Sequence, residues 1–178
     1  MTVTSHDPRA SRPWCLFRIG THAYAIGLEA VAEIIEAGGL VRLPLSPACV
    51  LGLCSFRRDV VPVVRLVEEP ADAPGGDDAR QTILILRTEQ GTWGVKIERG
   101  GTVVVEAPLD DSVALTAEPA GLAFLGAIRR AGMTYPAVDP ERTWRRLREA
   151  VERSYGSLHD RPPPRPGETA PRPSEGAA

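Results

Sequence analysis

The sequence predicts a mainly β, barrel-like domain finished by one C-terminal helix. Three observations predict it. Short apolar runs separated by Gly- and Pro-containing turns recur from Trp14 to Val138. In one of them Trp93, Val95 and Ile97 alternate with Gly94, Lys96 and Glu98, the period of two that marks a half-buried strand. Only the segment beginning at Pro140 has helical spacing. Many short strands followed by one helix fit a curled β domain with a helix packed on it.

The elements follow in order. Residues 14–19 read as a strand, Thr21-His22 as a turn, and 23–28 as the hairpin partner. Residues 31–36 are extended until Gly38-Gly39, and 40–43 resume before Pro44 and Pro47. Two apolar runs, 49–56 and 60–66, flank the charged turn Arg57-Arg58-Asp59. A loop with Pro70, Pro74 and Gly75-Gly76 separates them from strand 82–86. Gln90-Gly91 turns the chain into 93–97, and 102–105 follows Gly100-Gly101. Residues 122–130 and 133–138 form a late pair around Ala131-Gly132. Asp139 is a good N-cap and Pro140 suits the first helical position. Trp144, Leu147, Val151, Tyr155 and Leu158 then fall on one face, and Glu141–Arg145 and Glu149–Arg153 are spaced as i,i+4 ion pairs. No internal repeat of fixed period is visible.

The organisation is one domain, 13–158, between a polar N-terminal stretch, 1–12, and a tail, 159–178. Six of the eighteen residues 161–178 are proline, too little apolar surface to offset ordering, so both ends are expected to be disordered. Pro162-Pro163-Pro164-Arg165-Pro166 favours extended conformers that an aromatic groove can hold, although a solvated spacer is the ordinary reading of such a tail.

Composition excludes several classes. With 178 residues, 43% hydrophobic and 25% charged, the chain can bury a core of ordinary size. A net charge of −2 gives no field that would draw it to nucleic acid or an anionic membrane. Aromatics at 5% supply no base-stacking platform. No apolar run is long enough for a bilayer span and no signal-like start precedes residue 13, so a cytoplasmic protein is expected. Lys96 is the only lysine and lies in a strand, and no Gly-rich phosphate loop occurs. Of His6, His22 and His159, only His22 falls in the domain, in a turn, which is no place for a rigidly held base. Cys15, Cys49 and Cys54 sit in apolar stretches without the tight spacing of a metal site and read as small hydrophobes. Neither Asp77-Asp78 nor Asp110-Asp111 has calcium-loop spacing. No catalytic, metal or cofactor site is predicted.

A colinear set of segments carries a resemblance. It comprises 16–26, 31–35, Leu43-Pro44-Leu45-Ser46-Pro47, 50–57, 60–66, 94–98, Leu125-Gly126 and Tyr135-Pro136-Ala137-Val138. Together they resemble CheW-like domains across residues 14–155. The resemblance implies two five-stranded SH3-like barrels with an apolar seam between them. It also implies a non-catalytic adaptor of chemosensory signalling that joins the regulatory domain of a CheA-type histidine kinase to the cytoplasmic tip of a chemoreceptor. Such an adaptor binds no nucleic acid, inserts no segment in the membrane, and clusters at receptor arrays. By the same resemblance Val31, Glu33, Arg57 and Ile83 align with receptor-side positions, and Ile34, Ile35 and Arg58 join them as candidate docking residues. Core packing is the plain alternative for the apolar ones, and ordinary surface charge for the others. Two positions depart from the family pattern. Ser55-Phe56-Arg57-Arg58 stands where Asn-Leu-Arg-Gly is usual, and Arg65 stands where an aspartate is usual. A positive φ at the lost glycine would strain Arg58 or reshape the turn. The departures leave open a diverged module serving another assembly, such as a motility or polarity complex.

Overall fold

In the computed structural model, residues 11–44, 46–66, 80–113 and 122–159 are described, with the side chains of the last helix described as far as Arg153. The strands are β1 (Arg12–Ile19), β2 (His22–Gly27), β3 (Val31–Ala37), β4 (Val50–Phe56), β5 (Asp59–Val64), β6 (Gln81–Thr88), β7 (Gly91–Ile97), β8 (Val103–Ala107), β9 (Phe124–Arg130) and β10 (Met133–Val138). One 3₁₀ turn, Leu28–Ala30, joins β2 to β3, and α1 (Pro140–His159) is the last element of the described residues. The strands form two five-stranded sheets, ordered β8-β1-β2-β10-β9 (barrel A) and β3-β6-β7-β5-β4 (barrel B). The mainly β architecture with a terminal helix is as the sequence predicts.

Three local expectations are corrected. Residues 40–43 form no strand; a single bridge, Val41 to Leu53, is all that pairs there. Two turns sit one residue earlier than predicted, at Gly20-Thr21 and Glu89-Gln90, because His22 and Gly91 pair with Ile19 and Thr88. The i,i+4 ion pair of α1 is Arg148–Glu152 at 3.4 Å, whereas Glu141 accepts the Glu89 backbone N–H at 2.6 Å and so ties α1 to the β6–β7 turn.

The two sheets repeat one plan. β9 and β10 lie 74 residues after β4 and β5, and their pairings correspond residue for residue. The bulge is shared as well: Gly52 faces Val63 and Val50 faces Val64, as Gly126 faces Ala137 and Phe124 faces Val138. β6 and β7 lie 69 residues after β1 and β2, and each barrel has one parallel contact in the same register, Val63 with Gly94 and Ala137 with Ala25. The second copy is therefore split. β8, β9 and β10 are completed by β1 and β2 from the other end of the described fold, and no fixed period runs along the chain.

Each sheet curls because the segment after its first edge strand bridges to the opposite edge. Val41 exchanges backbone hydrogen bonds with Leu53, both 2.9 Å, and Asp110 with Ala127, at 2.8 and 2.9 Å. Gly52 and Gly126 make these crossings possible. Their φ values are +149° and +146°, and a Cβ would lie 2.6 Å from the Val41 carbonyl oxygen and 2.5 Å from that of Asp110.

Apolar packing has three centres. Trp14, Leu16, Val105 and Ile128 fill barrel A, and Phe56, Val61, Val63, Ile83 and Ile85 fill barrel B. The largest cluster is the seam, where Phe17, Tyr24 and Ile26 of one sheet meet Leu84, Leu86 and Trp93 of the other under Leu147 of α1. The helix starts where predicted: Asp139 Oδ1 accepts the Arg142 N–H at 3.0 Å. Trp144 stacks on the fully buried Trp93, with centroids 5.5 Å apart. Thr143, fully buried, accepts the Ala123 N–H through its hydroxyl and so pins α1 to the segment that leads into β9. No helix of the described residues is long and apolar enough to cross a membrane.

Candidate protein-docking site

The site lies on barrel B, where the β3 edge meets the turn between β4 and β5. β3 forms because Val31, Ile34 and Ile35 favour extended backbone, and among the described residues it pairs on one side only, with β6. Its outer edge therefore carries unpaired backbone groups, the feature through which a partner can add contacts. β4 and β5 form a two-residue hairpin, since Phe56 pairs with Asp59, and Arg57-Arg58 is its tip.

The left-handed residue of this turn is Arg57, with φ +58°, and Arg58 is not left-handed. The expectation placed the demand at Arg58. The equivalent turn of barrel A, Ala131-Gly132, has both residues at positive φ, +48° and +77°. Only the first residue of the barrel B turn adopts that conformation, so the turn differs in shape from its barrel A counterpart. An L-residue held there costs about 1–2 kcal/mol.

Arg57 faces Glu33 of β3, with Nη2 donating to Oε2 at 3.3 Å. Its guanidinium also lies 5.1 Å from the Phe56 ring centroid. The pair is well exposed, 61% for Arg57 and 48% for Glu33. It links the two edges of the sheet, but at this exposure it contributes at most about 1 kcal/mol to stability. Two groups held together in solvent at that modest gain are available to a partner's charges.

The other predicted residues divide. Ile34 is exposed at 41%, Val31 is half-buried and Arg58 is exposed. Ile35 packs against the core of barrel B. Ile83 is fully buried between Ile35 and Lys96 of the neighbouring strands, and a Cβ on Gly94 would touch it. Ile83 is thereby corrected from a candidate surface contact to a core residue of barrel B, for the plain reason that β6 is a central strand covered by its neighbours.

Sequence reasoning missed two exposed apolar side chains of barrel B, Val60 at 68% beside the hairpin tip and Val41 at 67% where the chain bridges to Leu53. The phase of β5 carried the signal for Val60. If Val61 and Val63 point inward, Val60 points out.

Among the described residues no His/Cys/Asp/Glu cluster could hold a metal ion. Cys15 and Cys54 are buried and Cys49 half-buried, all three as free thiols. Burial pushes the Cys15 thiol up to about 11 and raises the other two. Such thiols are poor nucleophiles near neutral pH. The described residues bring together an exposed ion pair, an open strand edge and apolar side chains, an arrangement suited to docking.

The CheW-like domain model matches residues 13–146, most of the chain. The chain belongs to the CheW-like family. It is 25% identical over 124 residues to the chemotaxis protein CheW of Treponema pallidum (strain Nichols), covering 67% of this chain and 73% of that one. It is 26% identical over 90 residues to a probable chemotaxis protein CheW of Rhizobium etli, covering 51% and 58%. The scaffolding protein TtCheW from Thermoanaerobacter tengcongensis shares the fold, with a TM-score of 0.58 at 15% identity over 80% of this chain and 93% of that structure. The two barrels with an apolar seam that the CheW-like resemblance implies are the architecture described above.

Proposed function

We propose that this chain is a non-catalytic scaffold of chemosensory signalling that couples a chemoreceptor's cytoplasmic tip to the regulatory domain of a CheA-type histidine kinase. Family membership supports the scaffold role. The exposed Glu33–Arg57 pair, joining the β3 edge to the β4–β5 hairpin beside Ile34 and Val60, is the observation that carries the docking role. Val31, Glu33, Ile34, Arg57 and Arg58 form the receptor-side face, while Ile83 lies in the core of barrel B and Ile35 packs against it. The working domain is 13–158, and its place is the cytoplasm at receptor arrays. Receptor state reaches the kinase through contact geometry, because one small rigid body touches both.

A second reading has its own support. The Arg57-Arg58 turn differs in shape from its barrel A counterpart, and the half-buried Arg65, whose Nε is buried without a hydrogen-bond partner, replaces the family's usual aspartate. In this reading the same surface serves a different client in a motility or polarity complex.

Light scattering after gel filtration of the full chain with the regulatory domain of each CheA-type kinase in the source genome separates the two. A one-to-one complex with one of them supports the coupling role; no complex with any moves the assignment to the second reading.

A further inference from the structure

α1 leaves a groove uncovered on its barrel B side. The groove, about 260 Å³, is walled by Trp144, Leu147 and Val151 of the helix and by Pro47, Pro62 and Val64 of the barrel. Its lining is almost wholly apolar, and the Arg148–Glu152 pair stands on its helical rim. At Leu43, Ser46, Pro47 and Val50 it runs into a second depression of about 280 Å³ whose lining includes Arg42 and Arg65. Arg65 has no ion pair among the described residues, and its Nε is buried without a hydrogen-bond partner. The two depressions adjoin along these four residues, and taken together as a channel they are apolar and aromatic at the helix and lined by arginine at the far end.

The chain carries a segment that fits this channel in composition, order and reach. Nineteen residues, 160–178, follow α1, whose C-terminal turns adjoin the groove through Val151 and Glu152. Three residues past the helix come Pro162-Pro163-Pro164-Arg165-Pro166, and Glu168 follows two residues later. Proline-rich segments prefer a preformed extended helix, lose little entropy on docking and are held by aromatic-lined grooves. Reach is sufficient. From His159 back to Trp144 the helix covers about 22 Å at 1.5 Å per residue. Seven extended residues, 160–166, would cover about 22 Å at about 3.1 Å each, and two more would bring Glu168 toward the cationic end. The order also matches: a chain folding back along α1 meets the apolar stretch with its prolines and Arg65 with its carboxylate.

We propose that segment 162–166 of this chain folds back into the groove between α1 and barrel B, with Glu168 paired to Arg65. The occupant is the chain's own tail, and tethering gives it an effective concentration in the millimolar range without any partner. The surface is separate from the Glu33–Arg57 face and does not depend on the adaptor reading.

The test is acrylamide quenching of tryptophan fluorescence in the full chain. Trp14 and Trp93 are fully buried, so the quencher reads Trp144, as a Trp144→Phe variant establishes. Replacing Pro162, Pro163, Pro164 and Pro166 by serine should raise the quenching constant roughly twofold, as expected for a tethered contact occupied about half the time. Glu168→Arg should raise it in the same direction. Both changes lie in the tail, so the unfolding midpoint serves as a control for the core. Unchanged quenching in both variants would overturn the proposal. Shielding that fades on dilution would also overturn it, because the groove would then be filled by the tail of a second copy.

Discussion

Barrel A and barrel B share one backbone plan and differ in the chemistry of their rims. Register equates β3 with β8: Ile35 faces Ile83 as Val105 faces Trp14, and one residue earlier Ile34 and Val104 are both exposed edge side chains. By the same register Glu33 of barrel B corresponds to Val103 of barrel A, and Arg57 to Ala131. The ion pair of barrel B thus sits where barrel A has two apolar residues. Barrel A places its own rim pair elsewhere, Arg129 to Asp110 at 3.5 Å, where barrel B has Ser55 and the exposed Val41. Hydrogen bonds from the Ser112 hydroxyl and amide, with Arg129 nearby, hold the Asp110 carboxyl below its ordinary range. What the two barrels retain in common, the bulge, the glycine crossing and the parallel contact, is what closing a small sheet requires. What they do not share is on the outside, which is where two different partners would be told apart.

The sharpest way to break the comparison is at the shared crossings. Gly52→Ala and Gly126→Ala should each cost roughly 3 kcal/mol or more, since a Cβ meets a backbone oxygen at a φ that L-residues avoid. Urea unfolding measures it. One glycine tolerated and the other not would show that the two closures are unequal. Next in size is Trp144→Ala, expected to cost about 3 kcal/mol, because a half-buried indole stacked on Trp93 is removed from the roof of the seam. A cost near zero would mean that α1 contributes little to joining the barrels.

The turns sharpen the contrast with a smaller effect. Arg57→Gly relieves the left-handed strain but loses the ion pair and adds backbone freedom to the unfolded chain, so stability should stay within about 0.5 kcal/mol of the parent. Ala131→Gly has no ion pair to lose, and thermal unfolding should show it to be no less stable than Arg57→Gly. The effect of pH is confined to alkaline solution. Cys15 ionises near an ordinary 9.0 when unfolded and only near about 11 when buried. Between those values the unfolded chain has released a proton that the folded chain keeps, so its contribution to stability is flat below pH 9 and declines as pH rises toward 11. A Cys15→Ser variant titrated alongside isolates this slope, and a parent curve no steeper than the variant's would contradict it.

Much of this architecture could be read from sequence. The strand runs, the Ala131-Gly132 turn, the Asp139 cap and the helix face follow from local chemistry, and local chemistry decided them. The repeat could not be read as a period, because its second copy is completed by β1 and β2 and the offsets differ, 74 residues for one pair and 69 for another. Leu51-Gly52 and Leu125-Gly126, with Pro62 and Pro136 and with Val64 and Val138, are among its few visible traces. For the docking face, Glu33 and Arg57 were both legible as candidates, but their meeting depends on the curl of the sheet. Ile83 was misplaced because an apolar residue in an apolar run shows no face until its strand is known to be central. Arg57, not Arg58, carries the positive φ because turn geometry depends on both residues at the tip. The loop at 70–76, the tail and the start of the chain lie outside the described residues.

The most direct measurement exchanges charges on the two rims and reads binding of the full chain to a soluble chemoreceptor tip. Glu33→Arg with Arg57→Glu reverses the barrel B pair, and Asp110→Arg with Arg129→Asp reverses its barrel A counterpart. The account predicts at least about tenfold weaker binding for the first and little change for the second, as for charges that meet a partner versus charges that do not. Equal losses from both, or a loss from the barrel A exchange alone, would contradict it.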